Sequence, residues 1–177
     1  MSTALIVIDV QHEFFDKSPA ASSAASVVDR INGLCERARE NAIPVIFIQH
    51  QSSTGPLEKG SPGWRLAEGL ITAPGDRILA KTTADAFLRT ELESVLQESA
   101  VSRLIVCGYA TEFCVDTSIR RAAALGYDVI IAADAHTTHD KAHAPARQIV
   151  THHNATLAGI TSFGKRISCL AAAEIQL

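Results

Sequence analysis

Short apolar runs alternate with amphipathic stretches along most of the chain. "ALIVIDV", Ala4 to Val10, is nearly all apolar and rich in β-branched residues. A strand covered on both faces reads that way, because neither face meets water. Val27, Ile31, Leu34, Cys35 and Ala38 then recur at helical spacing, with Asp29, Arg30, Glu36 and Arg37 on other faces. "NAIP" ends that helix. "VIFIQ" (Val45 to Gln49) reads as a second strand and "RILAK" (Arg77 to Lys81) as a shorter third. Thr90 is placed as an N-cap, with Glu91 and Glu93 in the first turn where the helix dipole favours acids. Leu88, Leu92, Val95 and Leu96 share one face of that helix. "RLIVC" (Arg103 to Cys107) is the fourth strand and "DVIIAAD" (Asp128 to Asp134) the fifth, with a helix from about Cys114 to Gly126 between them. Ala142, Ala146, Ile149 and Val150 mark another helix, "ATLAGI" a sixth strand, and "SCLAAAEIQL" a last helix.

This β-α-β repetition predicts an α/β sandwich around a parallel sheet, in one domain spanning residues 1–177. No internal repeat, low-complexity segment or interdomain linker interrupts it. The stretch from His50 to Gly75 differs, being rich in glycine and proline and holding the chain's one tryptophan, Trp64. A loop that long in a compact domain is usually functional, and Trp64 predicts that it packs over a site.

Composition narrows the function. The hydrophobic fraction is 47% and the formal net charge −3, which gives no electrostatic case for nucleic acid or an anionic membrane as partner. No apolar run is long enough to span a bilayer. The first residues lack a basic region before their apolar run and read as a strand rather than a signal peptide. The spacings of Cys35, Cys107, Cys114 and Cys169 match neither a disulfide scaffold nor a metal knuckle, so reduced thiols in a cytoplasm are expected.

Three residues fall where an open α/β sheet carries its chemistry, at or just past the carboxyl ends of strands. Asp9 ends the first strand, Lys81 follows the third, and Cys114 opens the helix after the fourth. A thiol must become a thiolate to attack a carbonyl, and a helix N-terminus and an ammonium both favour that anion. A carboxylate desolvated at a strand end can take the thiol proton. Backbone N–H groups at the helix start can hold an oxyanion, and Gly108 permits the turn into the site. Taken singly, each residue has an ordinary reading: Asp9 as a cap, Lys81 as surface charge, Cys114 as buried core.

"ALIVIDVQHEFF", the lysine of "KTTADAFLRTELESVL" and "LIVCGYATEFCVDTSIRRAAALGYDVIIAADA" together resemble the isochorismatase-like cysteine hydrolases, from Ala4 to about Gly164. That family includes nicotinamidases, N-carbamoylsarcosine amidases and related amide and ureide hydrolases. The resemblance implies a three-layer α/β sandwich on a six-stranded, mainly parallel sheet of order 3-2-1-4-5-6. It implies Asp9, Lys81 and Cys114 as the catalytic set. It also implies a non-proline cis peptide at Ala110–Thr111, aiming the Ala110 N–H with that of Cys114 into an oxyanion hole. The activity it implies is hydrolysis of a C–N bond through a thioester, by a homo-oligomer without cofactor. The resemblance is incomplete in one place. Nicotinamidases carry an Asp-x-His metal pair after the second strand, whereas "IQHQSSTGP" leaves His50 without its partner, so no metal is expected.

Phe14, Phe15, His50, Trp64, Phe87 and Tyr109 are candidates for the substrate pocket, against the alternative that each is packing. His136, His139 and His143 read as a solvated or N-terminal helix segment rather than a metal site. Two further classes of protein would make different demands on the chain. A fold-mate that binds a small molecule or senses oxidants through Cys114 would not need all three catalytic residues. A nucleotide-binding domain would need a glycine-rich loop after the first strand, and "DVQHEFF" has none.

Overall fold

The computed structural model describes residues 2–177. Within them, six strands form one sheet: β1 (Ser2–Ile8), β2 (Val45–His50), β3 (Arg77–Lys81), β4 (Val101–Tyr109), β5 (Asp128–Thr137) and β6 (Ile167–Leu170). Their order is β3-β2-β1-β4-β5-β6, and every adjacent pair is parallel. The strand order reverses between β1 and β4, which opens a crevice at their carboxyl ends.

The helices are α1 (His12–Phe15), α2 (Ala24–Glu40), α3 (Leu92–Glu98), α4 (Asp116–Ala124) and α5 (Ala146–Ala158). Period-2 alternation divides each central strand between two apolar layers. Ala4, Ile6 and Ile8 of β1 join Leu92, Leu96, Ile119, Ala122 and Leu157 on one face. Leu5 and Val7 join Ile31, Leu34, Cys35 and Phe15 on the other. Thr90 Oγ1 receives the Leu92 amide at 3.3 Å, and Gly126, at φ +97°, ends the turn after α4.

Two expected elements differ. "ATLAGI" is the end of α5 rather than a strand, because Ile149 and Leu157 lie on one buried helical face. The sixth strand is Ile167–Leu170, and only a single 3-10 turn, Ala172–Glu174, follows it. β5 extends past Asp134 to Thr137, which draws His136 into the sheet. No helix among the described residues is long and apolar enough to cross a membrane.

Candidate active site

Glycine permits the closest approach in the fold. At Gly108, with φ +118°, a Cβ would lie 2.0 Å from the Ile8 carbonyl oxygen. Only a residue without a side chain lets β4 run this close to β1, at Ile8↔Gly108, one residue before Asp9. Asp9 itself sits in the left-handed region at φ 50°. Its amide donates to the Ile48 carbonyl at 2.9 Å, and its carbonyl accepts the Gln11 amide at 2.9 Å.

Past Tyr109 the chain enters a π turn, Thr111–Val115, that runs directly into α4. The Ala110 carbonyl accepts the amides of Phe113 and Val115, at 3.0 and 3.1 Å, and skips that of Cys114. Such one-turn widenings recur at functional sites because they release a backbone donor. The cis peptide is Tyr109–Ala110, not Ala110–Thr111 as the resemblance implied. The Ala110 carbonyl is engaged by the first helical amides, so its link to Thr111 already belongs to the turn. The Ala110 N–H belongs to the preceding peptide, the one that is cis.

Asp9, Lys81 and Cys114 converge. Lys81 is 1% exposed, and its Nζ lies 2.6 Å from Asp9 Oδ2. The same ammonium is 3.2 Å from Cys114 Sγ, 3.0 Å from His50 Nδ1 and 3.1 Å from the Thr83 carbonyl oxygen. Asp9 Oδ1 is buried with no hydrogen-bond partner. Burial raises the Asp9 carboxyl above its ordinary value, against the opposing pull of Lys81. The Cys114 thiol is pushed up to about 12, by burial first and then by the Asp9 charge, with Lys81 opposing. The expected thiolate is therefore not the resting form. Desolvation outweighs the ammonium, and the thiol keeps its proton until a base takes it.

Asp9, His50 and Cys114 each offer one metal-ligand atom, all within 4.8 Å of one another. The Lys81 ammonium already contacts all three, so the set surrounds a fixed cation of the protein's own.

The other candidates separate. Phe14 stacks on Tyr109, with ring centroids 4.4 Å apart, and the Tyr109 hydroxyl is 2.9 Å from His139 Nδ1. Phe15 is buried in the core layer beneath Tyr109. Phe87 is buried in the opposite layer, stacked 6.1 Å from Tyr127, and so contributes packing. Trp64 is half-buried in the 51–76 loop. The three histidines do not converge. His136 is buried between Thr111 Oγ1 at 2.9 Å and Asn154 Oδ1 at 2.7 Å. His139 reaches the Pro19 carbonyl at 2.9 Å, and His143 lies in the turn before α5.

Gln11 is not among the residues the sequence singles out, although a polar residue directly after an apolar strand is a visible signal. It is fully buried, its Oε1 accepts the His50 amide at 2.8 Å, and its Nε2 donates to the His50 carbonyl at 3.0 Å. The same Nε2 donates to the Trp64 carbonyl at 2.8 Å, and Gln49 Nε2 donates there at 3.0 Å. These contacts hold the 51–76 loop against the ends of β1 and β2.

The chain belongs to the isochorismatase family, whose domain matches residues 3–162. It is 37% identical over 143 residues to a streptothricin hydrolase of Streptomyces noursei, covering 80% of this chain and 52% of that protein. The chain thus matches about half the length of that relative. It is 27% identical to the ureidoacrylate amidohydrolase RutB of Pseudomonas syringae pv. syringae (strain B728a), over 90% of this chain and 80% of that one. A crystal structure of an isochorismatase family protein superposes with a TM-score of 0.87 at 37% identity, covering 96% of this chain and 98% of the other.

Proposed function

We propose that the protein is a cysteine-dependent hydrolase of a C–N bond in a small amide, ureide or carbamoyl compound. One observation carries the reading: a half-buried thiol, a buried carboxylate with one unpartnered oxygen and a buried ammonium meet at the carboxyl ends of β1, β3 and β4. The names of the relatives support it, a streptothricin hydrolase for hydrolysis and an ureidoacrylate amidohydrolase for the bond class.

Asp9 removes the Cys114 proton, and its raised proton affinity suits it to the task. The sulfur attacks the carbonyl carbon, and the oxygen takes up charge facing the Ala110 and Cys114 N–H groups. As the C–N bond breaks, Asp9 returns the proton to the departing amine. Asp9 then takes a proton from water, whose oxygen attacks the thioester and releases the acid and the thiol. Lys81 offsets the negative charge that passes between carboxylate and sulfur.

The test is ammonia or amine release across a panel of small amides, ureides and carbamoyl compounds, beside a Cys114→Ala control. Release by the wild type alone supports the reading. Equal release by both proteins removes Cys114 from the chemistry. Silence of both across the panel, with Cys114 unreactive toward iodoacetamide at every pH, overturns the nucleophile assignment and favours a binding protein.

A further inference from the structure

His50 lies outside the Asp9–Lys81–Cys114 set, yet it touches the lysine at its centre. An ammonium has three N–H donors and no acceptor. Four acceptors surround Lys81 Nζ: Asp9 Oδ2, His50 Nδ1, the Thr83 carbonyl oxygen and Cys114 Sγ. A protonated thiol is the weakest of them, so in the resting site the three N–H groups go to Asp9, His50 and Thr83. When the thiol proton moves to Asp9, the ranking inverts. The neutral carboxyl becomes a poor acceptor and the thiolate a strong one. One N–H must turn from Oδ2 toward Sγ while the other two keep the nitrogen where it is.

We propose that His50 is a positioning residue for Lys81, whose Nδ1 and the Thr83 carbonyl together form the fixed hinge about which the ammonium redirects one N–H from Asp9 to Cys114. The assignment rests on the reading of Cys114 as the nucleophile. It differs from a substrate contact, because the imidazole nitrogen in use is turned to the protein. The backbone at His50 is built for the purpose. Gln11, fully buried, grips both the His50 amide and carbonyl, so the ring leaves the end of β2 in one direction. Accepting from an ammonium requires a lone pair on Nδ1, which places the ring proton on Nε2.

The groups facing the ring are Lys81 from β3, Asp9 from the end of β1 and the Cys114 thiol from the π turn. Burial first, and then the Lys81 charge, hold the imidazole below its ordinary value, with Asp9 opposing. Protonation of the ring would remove the acceptor and set two cations side by side.

The decisive experiment reads Cys114 itself and needs no substrate. The rate of Cys114 alkylation by iodoacetamide is followed from acid to alkaline pH for wild type, His50→Asn and His50→Ala, each checked for folding by thermal melting. Asparagine Oδ1 stands near the place of Nδ1 and does not titrate. Ionisation of Asp9, which takes the thiol proton, gives every variant one rise with pH; the wild type is expected to show a second rate step, on the acid side of the ordinary histidine range. His50→Asn is expected to lose that step and keep the rate at higher pH within about threefold, while His50→Ala falls by about tenfold, the scale of one hydrogen bond to a charged group. With an amide found in the panel, His50→Ala is expected to lower kcat and leave KM unchanged. An alanine variant with wild-type rate and wild-type step overturns the proposal. So does a folded asparagine variant that keeps the step or is as slow as alanine. If His50→Ala does not fold, the asparagine profile decides alone. Should Cys114→Ala still release ammonia, the functional reading fails separately, and the alkylation profile shows whether His50 governs the thiol.

Discussion

Two ion pairs sit at opposite ends of the sheet. At the carboxyl ends, Lys81 and Asp9 meet at 2.6 Å with side chains 0% and 2% exposed. At the amino ends, Arg39 and Asp76 meet at 2.8 Å with side chains 24% and 6% exposed. Asp76 is saturated: both oxygens accept from the guanidinium, and Oδ2 also takes the Ala73 amide. Asp9 is not, since Oδ1 has no partner and its lysine divides itself among four acceptors. Both pairs join groups from separate elements, Asp9 and Lys81 across β2 and Arg39 from α2 to the start of β3, but only one leaves hydrogen-bonding capacity unspent. A structural pair fills its valences, whereas a reacting pair must keep one open for the proton it moves.

The sharpest break between the two ends is in turnover. Asp9→Asn is expected to lower the rate on an active amide by about a thousandfold or more, the contribution of a positioned general base. Asp76→Asn is expected to leave it within twofold, as steady-state kinetics on the two proteins would show. The next effect is on stability. Gly108→Ala puts a Cβ against the Ile8 carbonyl and is expected to cost about 3 kcal/mol or more in urea unfolding. Gly75→Ala, where φ is also positive but a Cβ would meet nothing within 4 Å, is expected to cost about 1 kcal/mol.

At the amino end, Asp76→Ala leaves the guanidinium only the Ile71 carbonyl and the Ala73 amide no acceptor, and a loss of about 2 kcal/mol with activity retained is expected from the same unfolding curves. The smallest effect is in pH. Burial lowers His136 below its ordinary value of 6.5, so between the two values the unfolded chain binds a proton that the folded one does not. Stability contributed by the neutral ring is present above 6.5 and declines as pH falls below it. Thermal melting at several acid pH values should show the decline, and His136→Gln should flatten it.

The central strands are legible in the sequence because burial on both faces makes them continuous apolar runs. β6 is not, since "ISCL" is four residues at an edge with one buried, while the apolar "ATLAGI" just before it is helical. Asp9, Lys81 and Cys114 can be found because each stands where a strand hands over to a loop or a helix. The contact of His50 with Lys81 cannot. It depends on β2 and β3 pairing in the register His50↔Lys81, which no local pattern reveals. The protonation of Cys114 is hidden for a related reason. Helix and lysine are visible in sequence, but the desolvation that outweighs them exists only once the strands have closed around the sulfur.

Gln11 and Gln49 secure the 51–76 loop by a carbonyl oxygen, a group that every amino acid carries. The attachment is therefore indifferent to the side chain at position 64, although Gly63 beside it has no room for a Cβ. Substitution at position 64 can thus change the surface of the loop while Gln11 keeps its hold on the His50 backbone beneath it.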